Sequence, residues 1–578
     1  MKSKKLLTIL LSAIITASSI SSVYAAEPVG IKNKYQPKTT TIFWEKDKQN
    51  NKKSATNIAS EKFNNFEEIN QFFQQNISRF GLKKGSLKST KTLKDAKGKT
   101  HYHTIYQVDS IPVYYGRIVF TTEKDSTISS INGGVDISFE NENWKNKIKL
   151  SKSDAIAKGK NNIKYEELHD SKADLYLYNF EGKPYVVYLV DLNTDTGDWN
   201  IFVNAEDGSI VNKFNNTPPT LTNTKDTKFT STKKTNTKVN KSNNVVDVQG
   251  NTIKGKGKSS LNGIIDIDLT YKDGKYYLKN SNKNIYVYDL NNKYVNTFTT
   301  PPRSSILKAS KLVENNSSEF IDDKYIIAVD AYINLEKTYD YYKNKFNRNS
   351  IDNKGMNAEA FIHHGEKYAG AEWSEDLGSM LFGGDGDGKD SSHMSKALDV
   401  VGHEFSHGVT HKESNLKYEN ESGALNESFS DIMGIAIKGT NFKLGEDCWK
   451  ANTEEAGIRD MQDPSKKYQP AHMKDYRYID IFYDNGGVHL NSGIINHAAY
   501  LIADGIEKLG VENSKDIMAK LFYTANCYEW DETTNFSKCR NDLIKVTKDL
   551  YGENSKYVQI VENAFDKVGI ATTPQLPL

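Results

Sequence analysis

Nine of the twelve histidines in this 578-residue chain lie between His363 and His497, and two stand in the run His403-Glu404-Phe405-Ser406-His407. On a helix, positions i and i+4 share a face, so both imidazoles can converge on one ion. Glu404, beside the first of them, is placed to orient or deprotonate a water that the ion activates. The preceding Ala397, Leu398, Val400 and Val401 mark this helix as buried, where idle histidines are expensive. A hydrolytic zinc site needs a third protein ligand and keeps its fourth position open. Glu427 follows His407 with nineteen residues between them, in a segment whose Leu425, Phe429, Ile432 and Met433 occupy the apolar positions of a second helix. If Glu427 faces the first helix, it completes a two-histidine, one-carboxylate set. Asp431, one turn on, can then bind a ligand imidazole from behind, and Asn426 is placed with it.

Two packed helices must carry these groups, and the apolar spacing predicts them over Met394–Thr410 and Ala424–Lys438. Val329–Phe346, Gly493–Leu509 and Ser514–Tyr523 carry the same period, so the chain is expected to be mainly helical beyond Ala328. Between Val245 and that point the runs Gly263–Leu269, Tyr276–Leu278 and Ile285–Tyr288 alternate as strands do. The late half therefore reads as a β-rich lobe, 245–393, followed by a helical lobe, 394–578, with the site between them. Residues 215–244 are rich in Thr, Asn and Lys with almost no large apolar side chains, and are expected to form a flexible linker open to proteolysis. Upstream, short alternating runs such as Tyr102–Val108, Val113–Phe120 and Tyr185–Leu192 are punctuated by helical stretches at Glu67–Phe80 and Ser153–Ala157. Residues 26–214 are thus expected to be α+β, in two subdomains of about 40–120 and 140–214. The histidines here (His101, His103 and His169) form no ligand-spaced cluster, so no catalytic role is expected of them. At the start, Lys2, Lys4 and Lys5 precede an apolar Leu6–Ile15 stretch and a small-residue end at Val23-Tyr24-Ala25. Those are the parts of a secretory signal over 1–25, which predicts an exported, extracellular protein.

Composition removes several alternatives. Lys plus Arg is 76 against 74 Asp plus Glu, a formal net charge of +2, which argues against nucleic acid as the main partner. After residue 25 no apolar run approaches the roughly 20 residues of a membrane span, so no stable insertion is expected. Cys448, Cys527 and Cys539 are too few for a disulfide scaffold and lack metal-site spacing; whether Cys527 and Cys539 pair is left open.

The runs HEFSH, NESGALNESFSD and DNGGVHLNSGIINHAAY resemble the thermolysin family of secreted zinc neutral proteases, the bacillolysins. The resemblance spans roughly Val245 to the C-terminus and is dense from Val329 to Tyr500. Residues 40–214 resemble, more weakly, the propeptide that acts on such enzymes as chaperone and inhibitor. It implies a two-lobed zincin fold, one catalytic zinc on His403, His407 and Glu427, and hydrolysis of internal peptide bonds in protein and peptide substrates by a monomer made as a self-processing zymogen. By position, Glu404 matches the general base, while Tyr418 and His489 match the pair that stabilises the developing oxyanion. Asp484 matches the carboxylate partner of His489, and Arg459 matches a guanidinium that grips a substrate carbonyl. Val400, Leu444, Cys448 and Ile458 match the pocket for the residue after the scissile bond, implying a preference for a bulky hydrophobic side chain there. Ala371 matches the edge strand that pairs with substrate.

The chain also departs from the family. Gly370-Ala371-Glu372-Trp373 lacks the Asn that usually precedes this alanine. In the family, an acidic double-calcium site adjoins the zinc helix. Asp399 and Glu446 keep two of its positions, but Lys438, Asn441 and Lys443 stand where Glu, Asp and Glu are expected, and Ala456 replaces an Asp of another calcium site. No double-calcium cluster is therefore expected, only weaker single sites at most, with Lys438 or Lys443 able to lay its ammonium between Asp399 and Glu446. Gly383–Gly388 looks like a calcium loop, although an Asp/Gly turn is the simpler reading. Other classes fit less well. A binding protein on this scaffold predicts loss of the base or a ligand, and all four residues are present. A related aminopeptidase predicts a GxMEN motif, and none occurs. A peptidase-inhibitor role for the proregion can coexist with the main one.

Overall fold

A computed structural model describes residues 39–45 and 57–571, except 96, 166–167, 181, 195–196, 216–249, 296–302, 366–367, 369, 385–391, 450–455 and 478–483. The expected signal segment, linker residues 216–244 and most of the Gly383–Gly388 turn lie outside the described residues. The fold is mixed α+β, with the β-rich part ahead of the helical part in the C-terminal half.

In the N-terminal half, helix α1 (Phe66–Gln75) begins where the Asn65 side chain accepts from the Glu68 amide, and it buries Ile69, Phe72 and Phe73. The expected helix to Phe80 breaks at Asn76, and Ile77–Phe80 continues as a 3-10 turn closed by left-handed Gly81. This unit covers antiparallel strands β2 (Ser86–Lys94), β3 (Thr100–Val108), β4 (Ile111–Thr122) and β5 (Ile128–Asp136), with β1 (Thr39–Glu45) added to β5. A second unit holds β6 (Leu168–Phe180), β7 (Lys183–Thr194), β8 (Gly197–Asn204) and β9 (Ile210–Asn215). Helix α2 (Lys152–Lys160), capped by the reciprocal Ser151–Asp154 box, lies on it. The Val113–Leu177 pair joins the two units into one strand order.

In the C-terminal half, the hairpin β10 (Asn251–Ser259) and β11 (Gly263–Lys272) leads to a second sheet. There Ile285–Asp289, Ala358–Ile362 and Ser379–Phe382 run parallel, and Ala371–Ser374 pairs antiparallel at the edge. The chain beyond Ala328 is therefore less helical than its sequence suggests: Ala358–Ile362 is a short buried apolar run, which periodicity alone cannot tell from a piece of helix. From Ile326 onward the described residues form seven helices: α3 (Ile326–Phe346), α4 (Leu398–Lys412), α5 (Asn420–Lys438), α6 (Asp484–Glu507), α7 (Ser514–Tyr528), α8 (Phe536–Tyr551) and α9 (Lys556–Lys567). One hydrophobic core runs from Ile267 and Val287 through Val329 and Phe405 to Phe429, Ile495 and Leu543, so the two lobes share their interior. Among the described residues no helix is long and apolar enough to cross a membrane.

Candidate active site

Two details of chain geometry aim the metal-binding groups. Helix α4 does not start at Met394. Residues 394–396 form a 3-10 turn whose Ser395 and Lys396 carbonyls accept from the Asn334 amide, Ala397 is extended, and the helix then runs from Leu398. Helices α4 and α5 pack closely because Gly402 and Gly434 lack side chains; a Cβ on Gly434 would meet the Asp399 carbonyl at 2.4 Å. That approach brings Glu427 to the two histidines of α4.

The His403 and His407 Nε2 atoms are 2.8 Å apart. Glu427 Oε1 lies 3.3 Å from His407 Nε2, and Oε2 lies 3.7 Å from His403 Nε2. The opposite ring nitrogens are occupied. His407 Nδ1 is 2.8 Å from Asn426 Oδ1, and His403 Nδ1 is 2.8 Å from Asp431 Oδ1, at an angle poor for a hydrogen bond. Both Nε2 atoms therefore face the carboxylate, and the three ligand atoms fit within 4.8 Å of one another. Glu427 is 1% exposed, yet its Oε2 accepts no hydrogen bond. A buried carboxylate oxygen without a donor is costly unless a cation meets it. Arg459 Nη2 lies 3.6 Å from that oxygen, too far to hydrogen-bond, and two imidazoles with a carboxylate oxygen left open suit zinc.

Around this centre, burial holds the Glu404 carboxyl above its usual range, opposed by the His403 and His407 imidazoles. The Tyr418 hydroxyl donates to Glu427 Oε1 and lies 3.1 Å from His489 Nε2. His489 Nδ1 contacts Asp484 Oδ1, and the His489 amide donates to Asp484 Oδ2 at 3.0 Å. Burial pulls the His489 imidazole down, but Glu427 and Asp484 outweigh it and hold it at about 9. Asp484 reaches its partner because Asn485, Gly486 and Gly487 take left-handed conformations within α6, with φ of 46°, 85° and 86°. Arg459 gives Nε and Nη2 to Asp431 at 2.7 and 2.8 Å.

His403, Glu404 and His407 of α4, Asn426, Glu427 and Asp431 of α5, and Asp484 and His489 of α6 thus come together with Tyr418 and Arg459, whereas Asp399 of α4 pairs with Lys438. Two further residues support them without having been singled out from the sequence. Asn496 donates to Asp431 Oδ2 at 2.8 Å, and Gln469 donates to the His489 carbonyl at 2.5 Å. Asn496 sits within the NSGIINHAAY run, whereas Gln469 lies in a stretch with no recognisable pattern.

Beside the centre, the short antiparallel pair Lys443–Leu444 with Arg459–Asp460 sets the pocket wall next to the arginine. A Cβ on Gly445 would meet Ile458 Cδ1 at 2.7 Å and Val400 Cγ2 at 3.5 Å, so these side chains line one space. Leu444 and Cys448 are buried, and burial pushes the Cys448 thiol far up. All three cysteines are free and buried, which closes the question of a Cys527–Cys539 bridge. Ala371 lies on the edge strand, and Trp373 of that strand packs against Gly408 of α4. At the positions expected to bind calcium, Lys438 Nζ lies 3.2 Å from Asp399 Oδ2, 3.2 Å from Asp447 Oδ2 and 3.7 Å from Glu446 Oε2. Asn441 donates to Glu446 at 2.5 Å, and Ala456 is buried.

A buried pair of imidazoles with a carboxylate, a neighbouring glutamate and a tyrosine–histidine donor pair define a metal-dependent hydrolase. Residues 254–411 match the family model of the thermolysin metallopeptidase catalytic domain, and 414–570 match that of its alpha-helical domain. Residues 85–135 match the fungalysin/thermolysin propeptide motif, and 149–214 match the peptidase propeptide and YPEB domain. Bacillolysin of Bacillus cereus is 34% identical over 504 residues, covering 84% of this chain and 85% of its own. Neutral protease B of Bacillus subtilis (strain 168) is 28% identical, covering 97% and 98%. The precursor of protealysin, a metalloproteinase from Serratia proteamaculans, is 31% identical over 50% of this chain and 87% of its own, with a TM-score of 0.42. The chain belongs to the thermolysin metallopeptidase family, and it is a zinc metalloendopeptidase carrying its propeptide.

Proposed function

We propose that this chain is an exported precursor that releases itself by cutting near Val245, and that the convergent residues above divide the work of peptide hydrolysis. The observation that carries the reading is the meeting of His403, His407 and Glu427, with Glu427 Oε2 buried and accepting no hydrogen bond. Zinc held by these three would supply a Lewis acid that polarises the scissile carbonyl and acidifies water. Glu404 takes the proton from the attacking water and hands it to the leaving amine; its raised carboxyl suits it to both directions of transfer. Tyr418 and protonated His489 donate to the developing oxyanion, a role typically worth about 3 kcal/mol of barrier per donor. Asp484 holds the His489 ring and favours its cationic form. Arg459 is fixed by Asp431, which leaves Nη1 for a substrate carbonyl. Substrate lies along Ala371–Ser374, the edge strand among the described residues, and a bulky apolar side chain enters the space between Val400, Leu444, Cys448 and Ile458.

Residues 1–25 would direct export, 26–214 would act as chaperone and inhibitor, and 215–244 would carry the cut. Lys438 takes the place of calcium between Asp399 and Glu446. The test is digestion of casein, and of a fluorogenic peptide blocked at both ends, by secreted protein with and without a zinc chelator. Loss on chelation and return with zinc are expected. Cleavage unaffected by complete zinc removal overturns the reading.

A further inference from the structure

Several contacts between residues 85–215 and the helical lobe set basic side chains of the first against carboxylates or carbonyls of the second, and the Asn132 amide donates to Asp542. From the N-terminal half, Lys91 Nζ donates to the Glu413 carbonyl at 2.9 Å, Lys99 Nζ meets Asp549 at 2.8 Å and Arg117 Nη2 meets Glu532 at 2.7 Å. His101 Nδ1 lies 3.4 Å from Glu529, and His103 Nε2 lies 3.2 Å from the Tyr528 carbonyl. Lys417 of the helical lobe runs the other way. The Lys417 ammonium sits over the Tyr114 ring, 3.5 Å from its centroid. Tyr114 is itself held edge-on by Tyr176, Tyr178 and Phe202 at 5.5, 5.4 and 5.2 Å. Those rings belong to β6 and β8, so the cage exists only where the two propeptide units meet. Burial drags the Lys417 ammonium down to about 8, with Glu419 and Glu532 opposing the fall. The Lys417 amide also donates to the Glu532 carbonyl at 2.8 Å.

Two of these contacts fall on the connection between α4 and α5. Glu413 follows the last turn of α4, which carries both histidines, and Lys417 immediately precedes Tyr418. We infer that the propeptide's dock is this face of the helical lobe: a basic strand ribbon laid on acidic side chains and pinned by Lys417 in the Tyr114 ring cage. The partner the face fits is an assembled two-unit propeptide of this type, and the face keeps it bound after the linking chain is cut. This rests on the proposed division into propeptide and peptidase. A desolvated cation–π contact contributes about thirtyfold to binding, and partly buried ion pairs add strength that salt removes.

The test follows secreted full-length precursor as it processes itself, reading the time to full activity on a blocked peptide and the co-elution of the cut propeptide at low and high salt. Tyr114→Leu and Arg117→Glu alter only the propeptide, so the mature enzyme is unchanged in sequence. Both should shorten latency at least about tenfold, while Tyr114→Phe keeps it. High salt should release wild-type propeptide. If Tyr114→Leu precursor fails to fold, the charge pair decides: Glu532→Arg added to Arg117→Glu should restore latency, each variant being normalised to its own final activity. Wild-type latency in Arg117→Glu and Tyr114→Leu, or co-elution indifferent to salt, overturns the dock. Absence of any final activity in wild type instead overturns the peptidase reading, and co-elution still decides the dock.

Discussion

At the residue scale the consequential groups are buried charges whose partners are countable. Glu404 coordinates nothing in the proposed scheme and only moves a proton. Glu404→Gln should therefore keep about one zinc per chain while cleavage of a blocked peptide falls by about 10²–10⁴. His403→Ala should lose both metal and activity, and near-normal turnover in Glu404→Gln refutes the assignment. Lys438 is the second test. It is 9% exposed at its side chain and faces Asp399, whose carboxyl is fully buried. Lys438→Met leaves that carboxylate without its cation, for which a loss of about 3 kcal/mol is expected in chemical denaturation. By the same argument, a calcium-selective chelator should move the wild-type melting temperature little. Two tightly held calcium ions at Asp399 and Glu446 would show that the ammonium does not replace them.

At the element scale, the bend in α6 positions Asp484 against His489. Gly486 has φ of 85°, and a Cβ there would meet Asn420 Oδ1 at 2.4 Å. Gly486→Ala is strained both by its backbone and by that contact, which amounts to a loss of about 1–3 kcal/mol. Because the bend sets Asp484 against His489, turnover should fall by more than stability explains while zinc content stays unchanged. Metal analysis with steady-state kinetics on folded protein checks this, and a variant with full turnover would show the bend to be dispensable. The same bend explains why the sequence suggested a helix beginning only at Gly493. Asp-Asn-Gly-Gly reads as a loop, and nothing local says that helical turns flank it. The zinc helix was legible to within a few residues, because two histidines on an apolar period can hardly be placed otherwise. Its real start at Leu398 depends on Asn334, sixty-four residues away.

At the scale of the whole molecule, the propeptide contact should respond to acid. Burial pulls the His103 imidazole from 6.5 down to about 4, with Asp531 opposing and Lys538, His101 and Lys91 adding to the depression. The docked state resists protonation, whereas a released imidazole accepts a proton near pH 6.5. Docking is therefore at full strength above about pH 6.5 and weakens as pH falls toward about 4. Co-elution of cut propeptide with the catalytic part should decline across that window, and His103→Gln should flatten the decline. An unchanged pH profile in His103→Gln would remove this histidine from the response.

What the amino-acid sequence determined by itself was whatever rests on short-range spacing. The i, i+4 histidines, the intervening glutamate and the carboxylate on a second apolar period announce a metal site before any fold is known. The polar 215–244 stretch is expected to be a linker for the same local reason: it holds few large apolar side chains. Tertiary structure decided what depends on atoms far apart in the chain. Lys438, distant from Asp399 in sequence, fills the space between carboxylates because α4 and α5 touch through two glycines. Gln469 reaches the His489 carbonyl across a loop that carries no pattern. His101 and His103, which spacing marks as idle, lie against the helical lobe because the propeptide strands dock there. Periodicity reports which face of an element is buried, but not which distant element buries it, and the charges that meet across that contact follow from the second fact alone.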